Sequence, residues 1–390
     1  MREAVIVDAV RTPVGKRGGQ LMDWHPTDLL AETVKILVQR TGVAPDRLAD
    51  LICGCVMQSG EQAGNIARWA TVGAGLPQTI AATTIDRQCG SGQQAIHFAA
   101  QAARSGEYDF AIGCGVESMS RVDLGPLFNP SAGPGPWYGE RALARYNGNL
   151  GAQGPAAELI VTKWAMTREE LDAYSVQSHQ RAAAAWDAGC FERQLVAVAA
   201  RQPDGDRGPM LRDEGIRPQT SVERLAQLKP VFAADGKITA GNSSQISDGA
   251  AAVLVAERAS AEAAGMHPKA VIRAMAVAAD DPILQFTAIL PAARKALDQA
   301  GLTIADIDRI EVNEAFACVP LMFAKEFDIG MERLNVNGGS VAIGHPLGST
   351  GARLMTDLVY ELERSGKRYG LLVICEGGGM ANATVVERIG

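Results

Sequence analysis

The chain lacks several features that mark common classes of protein. Only 5% of its 390 residues are aromatic, and its seven cysteines include no Cys-x-x-Cys pair. A structural zinc site or a disulfide framework needs paired or regularly spaced cysteines, so neither is indicated, and we expect no metal. No apolar run approaches the ~18 residues needed to cross a bilayer, so no membrane insertion is predicted.

The chain is also short of positive charge. Its 37 Lys and Arg stand against 44 Asp and Glu, which leaves a formal net charge of −7. Affinity for nucleic acid or for a membrane surface comes from a basic surface, so partners of these two kinds are not predicted. Because the cysteines show no disulfide spacing and the N-terminus runs straight into an apolar strand, we expect a cytoplasmic protein.

The chain is rich in aliphatic residues, and strand-like and helix-like hydrophobic patterns alternate along it. Hydrophobic residues make up 47% of the chain, enough to bury a large core. Apolar runs at 4–10, 51–56 and 109–116 predict buried strands in an α/β protein with a parallel-type sheet. From residue 270 the order of elements repeats in outline, which predicts a duplicated α/β unit. Residues 121–245 are richer in glycine, proline and polar side chains, which indicates an insertion.

One cysteine stands where a predicted strand turns into a predicted helix. The strand is a short run at 80–85 that we expect to be buried, and apolar residues recur at helical spacing from Ile96 to Ala103. Such a turn would present the Cys89 thiol to free backbone N–H groups and to the positive end of a helix dipole, which favours the thiolate. A small buried core cysteine is the ordinary alternative. The glycine and polar residues on both sides favour a nucleophile.

Three further residues stand at predicted turns in the second half. Asn313 ends a strand, where an asparagine is most often a helix cap. His345 lies between a glycine and a proline, and a neutral core histidine is the equal alternative there. Cys375 ends a strand before three glycines, where the backbone can approach a ligand. Two cysteines and a histidine on glycine turns, at the same end of two matching units, form a candidate site.

Four motifs in order resemble those of the thiolases, the family that makes or breaks 3-oxoacyl-CoA thioesters, and the resemblance covers essentially the whole chain. The motifs are Gln88-Cys89-Gly90-Ser91-Gly92, Asn313-Glu314-Ala315-Phe316-Ala317, the run from Gly338 to Arg353, and Cys375-Glu376-Gly377-Gly378-Gly379. The resemblance implies a five-layered α-β-α-β-α fold of two similar halves. The halves would be 1–120 with 246–269, and 270–390, and 121–245 would be a loop domain that covers coenzyme A.

The resemblance also implies roles for individual residues. Cys89 would attack the acyl carbonyl and hold the acyl group as a thioester, and His345 would take the thiol proton. Cys375 would move the proton at the α-carbon. His345 and a water held by Asn313 would form one oxyanion hole, and the backbone N–H groups of Cys89 and Gly377 would form a second.

Coenzyme A is implied as a co-substrate and not as a permanently bound cofactor. It would lie on Ser244, with Phe316 beside the pantetheine and Arg217 near the nucleotide end. The acyl-CoA substrate would be held by the same site. Relatives of this kind pair through the edge of the N-terminal half, so a homodimer is the minimum expected. The segment 131–136 does not resemble the hairpin that joins dimers into tetramers in some members.

The acyl pocket departs from that of short-chain relatives. Gln153 and the segment that begins with Gln285 and Phe286 stand where those relatives carry methionines. A glutamine is costly to bury unless its amide is hydrogen-bonded, so we expect a wider, wetter or more open pocket. This favours degradation of medium, long or bulky 3-oxoacyl-CoA, as in fatty acid β-oxidation. Residue 376 also departs, since its carboxylate would raise the pKa of the neighbouring Cys375.

Three alternatives stay open. The protein would be a short-chain acetoacetyl-CoA thiolase if Phe286 and Ile289 filled the space of the missing methionines. A ketoacyl synthase-like condensing enzyme shares the fold, but it has no use for the second thiol of Cys375. A non-catalytic acyl-CoA-binding relative would be expected to lose Cys89 or His345, and both are present.

Overall fold

The computed structural model describes residues 2–122, 125, 138–202 and 205–390. Its strands are β1 (Ala4–Arg11), β2 (Gly15–Lys16), β3 (Leu48–Gly54), β4 (Ala81–Ile85), β5 (Phe110–Ser118), β6 (Val198–Arg201), β7 (Arg207–Met210), β8 (Ser247–Glu257), β9 (Ala270–Ala279), β10 (Arg309–Val312), β11 (Tyr369–Glu376) and β12 (Met380–Arg388). The segment 131–136, named above for its bearing on tetramers, lies outside the described residues.

Its α-helices lie between those strands along the chain, singly or in groups. They are α1 (Pro26–Thr41), α2 (Ile66–Gly73), α3 (Ser91–Ser105), α4 (Glu140–Arg145), α5 (Gln153–Lys163), α6 (Arg168–Asp187), α7 (Val222–Ala226), α8 (Arg258–Ala263), α9 (Ile289–Ala300), α10 (Cys318–Phe327) and α11 (Leu347–Ser365). Short 3-10 turns cover Pro45–Arg47, Gly60–Gln62, Glu192–Gln194, Phe286–Ala288 and Ile304–Asp306. None of the helices in the described ranges is long and apolar enough to cross a membrane.

The sheet confirms that the chain is built from two matching units. Its order is β4-β3-β5-β8-β1-β9-β12-β11-β10, with β2 beside β8. Read outward from the centre, β1-β8-β5-β3 and β9-β12-β11-β10 have the same connectivity and the same directions. The halves join through a short antiparallel β1/β9 contact. The place of β4 is taken in the second half by a single parallel bridge between Ile310 and Leu334.

Two sequence predictions about this sheet were wrong. The sheet is mixed and not of the parallel type, because β8 and β12 run antiparallel to both of their neighbours. An apolar run shows that a strand is covered on both faces, but it carries no information on direction. The predicted strand at 80–85 is not buried: β4 is an edge strand beside β3, and its residues from Ala81 onward are half-buried or exposed.

Alternating side chains divide the interior into three helical layers, which confirms the five-layered α-β-α-β-α fold. Along β8, Ala252 and Leu254 face a cluster that includes α1 and α2, whereas Val253 and Val255 face a middle cluster built on α3 and α11. Along β11, Leu372 and Ile374 face the same middle cluster, and Val373 between them faces the cluster that includes α9 and α10.

The two middle helices meet at their first turns, backbone against backbone. A Cβ on Gly92 of α3 would lie 2.7 Å from the Gly348 carbonyl oxygen, and one on Gly351 would lie 2.0 Å from the Gln93 nitrogen. In the neighbouring strand β5, a Cβ on Gly115 would lie 2.0 Å from the same Gly348 oxygen. Real Cβ atoms do not make such contacts, so only glycine permits the two helix starts to lie this close.

This contact predicts the effect of adding one methyl group. Gly92→Ala must push α3 away from α11, and overpacking of this kind costs about 1–3 kcal/mol. We expect a lower apparent Tm and a loss of most activity. Gly139→Ala is the matched control, because a Cβ on Gly139 meets nothing within 4 Å. Calorimetry that gave the two variants the same Tm would contradict the close contact.

Candidate active site

Cys89 lies on the predicted turn between a strand and a helix. It follows β4 by four residues and precedes α3 by two. The turn places Gln88 at a positive φ of 50°, which is strained for a residue with a side chain. Side chains hold it: Asp86 Oδ1 accepts from the Gln88 N–H at 2.6 Å, and Ser91 Oγ accepts from the Arg87 N–H at 2.8 Å. The local interactions therefore fix where the thiol points.

The ionisation of Cys89 is the opposite of what the helix terminus alone would predict. The side chain is 4% exposed, and burial raises the pKa of the thiol to about 12, with the charge of Glu376 as the second cause. A hydrogen bond from Gln153 lowers the pKa, but by less. The expectation of a favoured thiolate is wrong, because desolvation raises the pKa of the thiol by more than the hydrogen bonds to it lower the pKa. The resting group is a neutral thiol, so it could act as a nucleophile only with the help of a base.

His345 is a neutral imidazole whose tautomer follows from its partners. The Thr350 hydroxyl donates to the Pro346 carbonyl oxygen at 2.8 Å, so its oxygen must accept from His345 Nδ1 at 2.7 Å. The proton is therefore on Nδ1, and Nε2 accepts from Asn313 Nδ2 at 3.3 Å. Burial, with Arg353 as the lesser cause, lowers the pKa of His345 to about 3. At neutral pH Nε2 is therefore the unprotonated nitrogen, and it can act as a base once a proton donor takes the place of the Asn313 N–H.

A chain of donors fixes the Asn313 amide. Arg353 Nη2 donates to Ser340 Oγ at 2.9 Å, and the Ser340 hydroxyl donates to Asn313 Oδ1 at 2.6 Å. Since the amide oxygen is occupied in this way, Asn313 can only turn its N–H toward His345. Asp357 in turn holds Arg353 through an ion pair of 3.1 Å. Asn313 is therefore an oriented donor and not a helix cap.

Glu314 ties the inserted segment to the site. Its carboxylate is 0% exposed and accepts from the Tyr174 hydroxyl at 2.7 Å and from the Ser178 hydroxyl at 2.8 Å, both on α6. It also accepts from the Val341 N–H at 2.9 Å, in the loop that leads to His345. The sequence motifs quoted above contain four further polar residues of the site that were not predicted: Glu314, Ser340, Thr350 and Arg353. Their position among small and apolar residues of those motifs was the available signal.

Cys375 stands beside Cys89. It is 0% exposed, and burial raises the pKa of its thiol, with the charge on Cys89 as the next cause. Glu376 also contributes, as expected from the sequence. A Cβ on Gly377 would lie 3.0 Å from the Gln88 side chain, so the turn after β11 abuts the Cys89 turn. Within the described ranges, neither the Cys89 N–H nor the Gly377 N–H donates to a backbone oxygen in the turns and loops.

The residues expected to bind coenzyme A differ in their exposure. Ser244 donates its backbone N–H to the Ala315 oxygen at 3.0 Å, and it is half-buried. Phe316 is 8% exposed and lies edge-on to Phe232, with 6.0 Å between ring centroids. Phe232 is itself 41% exposed, which leaves an apolar surface beside the site. Arg217 is exposed, and its backbone N–H donates to His179 Nδ1 at 3.0 Å.

The structure puts the three predicted pocket residues in different environments. Gln153 begins α5 and reaches Cys89. Gln285 is 4% exposed; its amide donates to the Gly151 oxygen at 2.9 Å and accepts from the Gly378 N–H at 3.3 Å, so its burial needs no water. Phe286 is 0% exposed, with its ring centroid 5.6 Å from that of Phe316. Across the described ranges, no group of three His, Cys, Asp or Glu side chains could hold a metal ion.

Comparison with known proteins identifies the class to which this fold and site belong. Residues 4–259 match the family described as "Thiolase, N-terminal domain", and residues 266–388 match "Thiolase, C-terminal domain". The chain belongs to the thiolase family and is an acyltransferase.

Individual relatives agree along the whole chain. It is 44% identical to "Steroid 3-ketoacyl-CoA thiolase FadA6" of Mycobacterium tuberculosis, over 100% of this chain and 95% of that protein. It is 42% identical to "Acetyl-CoA acetyltransferase" of Chromobacterium violaceum, over 99% and 100%. The crystal structure of the Bacillus anthracis acetyl-CoA acetyltransferase superposes with a TM-score of 0.90 at 35% identity and covers 100% of this chain and 99% of its own.

The donor chain to Asn313 predicts that a residue remote from the substrate affects the chemistry. Ser340→Ala leaves Asn313 Oδ1 and an Arg353 N–H buried without partners, at a cost of about 1–3 kcal/mol. If this cost falls on the oriented state of the site, kcat drops by about tenfold to a hundredfold and KM changes little. Ser349→Ala is the control, since among the residues that the structure describes its buried hydroxyl bonds only to Pro346. Equal kcat values for the two variants would sink the idea.

Proposed function

We propose that the protein catalyses thiolytic cleavage of 3-oxoacyl-CoA, and the reverse Claisen condensation, through an acyl-Cys89 thioester. The observation that carries this proposal is that Cys89 is a neutral thiol and that His345 is a neutral imidazole whose unprotonated nitrogen is Nε2. Coenzyme A is a co-substrate in this scheme, and no cofactor is permanently bound.

The first half-reaction includes two proton transfers, one from Cys89 to His345 and one from Cys375 to the leaving enolate. The Cys89 thiol gives its proton to His345 Nε2 as its sulfur bonds to the C3 carbonyl carbon, and the oxyanion lies against the N–H groups of Cys89 and Gly377. The C2–C3 bond then breaks. Acetyl-CoA leaves after its enolate, stabilised by His345 and a water held by Asn313, takes a proton from Cys375. A raised pKa suits Cys375 to this role, because the group must hold its proton until the carbanion forms.

The second half-reaction restores both groups. The thiol of free coenzyme A gives its proton to the Cys375 thiolate and attacks the acyl-Cys89 thioester. The Cys89 sulfur leaves and recovers its proton from His345. The two half-reactions are separated by release of acetyl-CoA, which gives ping-pong kinetics.

Coenzyme A would lie under residues 121–245, which we assign as the loop domain between the halves 1–120 with 246–269, and 270–390. The ties from α6 to Glu314 and the exposed Phe232 beside Phe316 support this placement. Ser244 and Arg217 would contact the pantetheine and the nucleotide end.

The preferred acyl group is, in this proposal, longer or bulkier than acetoacetyl. The 44% identity to a protein named for a steroid 3-ketoacyl-CoA supports it, as does Gln153 beside Cys89. The competing short-chain assignment draws support from Phe286 and Ile289, which are both 0% exposed, and from the relative named acetyl-CoA acetyltransferase.

We also infer a cytoplasmic homo-oligomer, with a dimer as the minimum. The free edge of β4 and the exposed Trp69 and Val72 of the neighbouring α2 support pairing through this edge. All seven cysteines are free thiols, as a reducing compartment requires. Sedimentation should give at least twice the 41.1 kDa chain mass. A monomer at assay concentration would contradict the inferred dimer.

The two thiols have different predicted fates. Mass spectrometry of enzyme quenched with acyl-CoA should locate the acyl group on the peptide with Cys89. Cys375→Ser should slow α-proton exchange of acetyl-CoA far more than acylation, because the second thiol acts only at the α-carbon. An adduct on another peptide, or equal losses in both steps, would contradict the assigned roles.

A thiolysis series from four to sixteen carbons separates the two substrate assignments. Each methylene that enters an apolar pocket contributes about 0.8 kcal/mol, close to fourfold in kcat/KM, until the pocket ends. We expect kcat/KM to rise beyond four carbons. A maximum at four carbons would establish the short-chain assignment instead.

A further inference from the structure

Glu376 is a buried carboxyl group that the reaction above does not use. It ends β11, it is 0% exposed, and neither of its oxygens has a hydrogen-bond partner within the described chain. Alternation turns it toward the middle layer with Leu372 and Ile374, whereas Cys375 faces the outer cluster. An ionised carboxylate without partners is among the costliest groups to bury, so this side chain should be neutral.

Asn382 on the adjacent strand provides the matching acceptor. Its Nδ2 donates to the Gly90 oxygen at 3.2 Å, but its Oδ1 is buried without a donor. A Cβ on Gly90 would lie 2.0 Å from Glu376 Oε1 and 2.6 Å from Asn382 Oδ1. Glu376 Oε1 and Asn382 Oδ1 therefore lie on the same side of Gly90, the residue that follows Cys89. A single proton on Glu376 would give each side chain a hydrogen bond.

Burial, and not the surrounding charges, favours this state. Burial raises the pKa of Glu376 to about 8; of the charges on the Cys89 turn, Arg87 lowers the pKa and Asp86 raises it by less. The thiols of Cys89 and Cys375 are the other titratable groups that interact with it. After burial, a charge on Glu376 is the strongest influence that raises the pKa of Cys89. An ionised Glu376 therefore opposes the developing thiolate.

We propose that Glu376 is a positioning residue for Cys89: as a neutral acid it donates to Asn382 Oδ1 and supports the Gly90 turn, and once ionised it suppresses acylation of Cys89. This inference rests on the proposed role of Cys89 as the acylated residue. The proposal assigns a function to the glutamate at position 376. A glutamine there would donate the same hydrogen bond, but it could not ionise.

The first test compares single-turnover acylation of Cys89 by acyl-CoA in the wild type and in Glu376→Gln across pH 6 to 9.5. The two should agree within about twofold at pH 6.5. At pH 9 the variant should be about tenfold faster, because one unit above a pKa of about 8 only about a tenth of the wild-type carboxyls keep their proton. Glu107→Gln, at an exposed carboxylate just beyond α3, should follow the wild type. Parallel profiles for Glu376→Gln and wild type would overturn the proposal.

A third variant tests the hydrogen bond. Glu376→Ala removes the donor and leaves Asn382 Oδ1 buried and unpaired, so it should acylate more slowly than Glu376→Gln even at pH 6.5. Equal rates at that pH would show that Glu376 does not support the turn.

The second test does not depend on the chemistry of Cys89. An infrared difference spectrum between wild type and Glu376→Gln should contain the C=O band of a carboxylic acid at pH 6.5, and the band should be lost by pH 9.5. Carboxylate bands at pH 6.5 would overturn the neutral state. If this band appeared but Cys89 were not acylated, the proposed function would fail and the neutral state of Glu376 would stand.

Discussion

The starts of α3 and α11 touch through their backbones, and the arrangement of the site depends on that contact. Cys89 stands three residues before Gly92, and His345 stands three residues before Gly348, so the contact brings both turns to one end of the middle layer. Glu117 reinforces it from below: its buried carboxylate accepts from the Gly348 N–H at 2.8 Å and from the Val56 N–H at 3.0 Å. A negative group there also suits the positive end of α11.

The cost of this tight site is desolvation, which decides the charge state of its groups. Burial keeps Cys89, Cys375 and His345 all neutral. A site built on a preformed thiolate and imidazolium would have to support two buried charges at rest. In the proposed reaction the charges arise only as the proton moves. The donors around them are already oriented, as Asn313 is by Ser340.

Much of this was predictable from the sequence, for identifiable reasons. The Cys89 turn is encoded locally, by a strand pattern, two glycines and a helix pattern, and the duplicated order of elements is visible along the chain. The direction of β8, the edge position of β4 and the pKa of Cys89 depend on residues far away in sequence, such as Glu376, and no local pattern reveals them. The same holds for Gln285, whose backbone partners Gly151 and Gly378 come from two distant segments.

The most direct test of the account is the protonation state of His345 in the resting enzyme. The chain has only five histidines, so NMR of protein labelled with ¹⁵N at histidine, with His345→Gln to assign the signal, can resolve it. We expect a neutral ring with its proton on Nδ1 from pH 5 to pH 9, since burial lowers the pKa of His345 to about 3. An imidazolium signal at pH 7, or a neutral ring with its proton on Nε2, would contradict this charge state and tautomer.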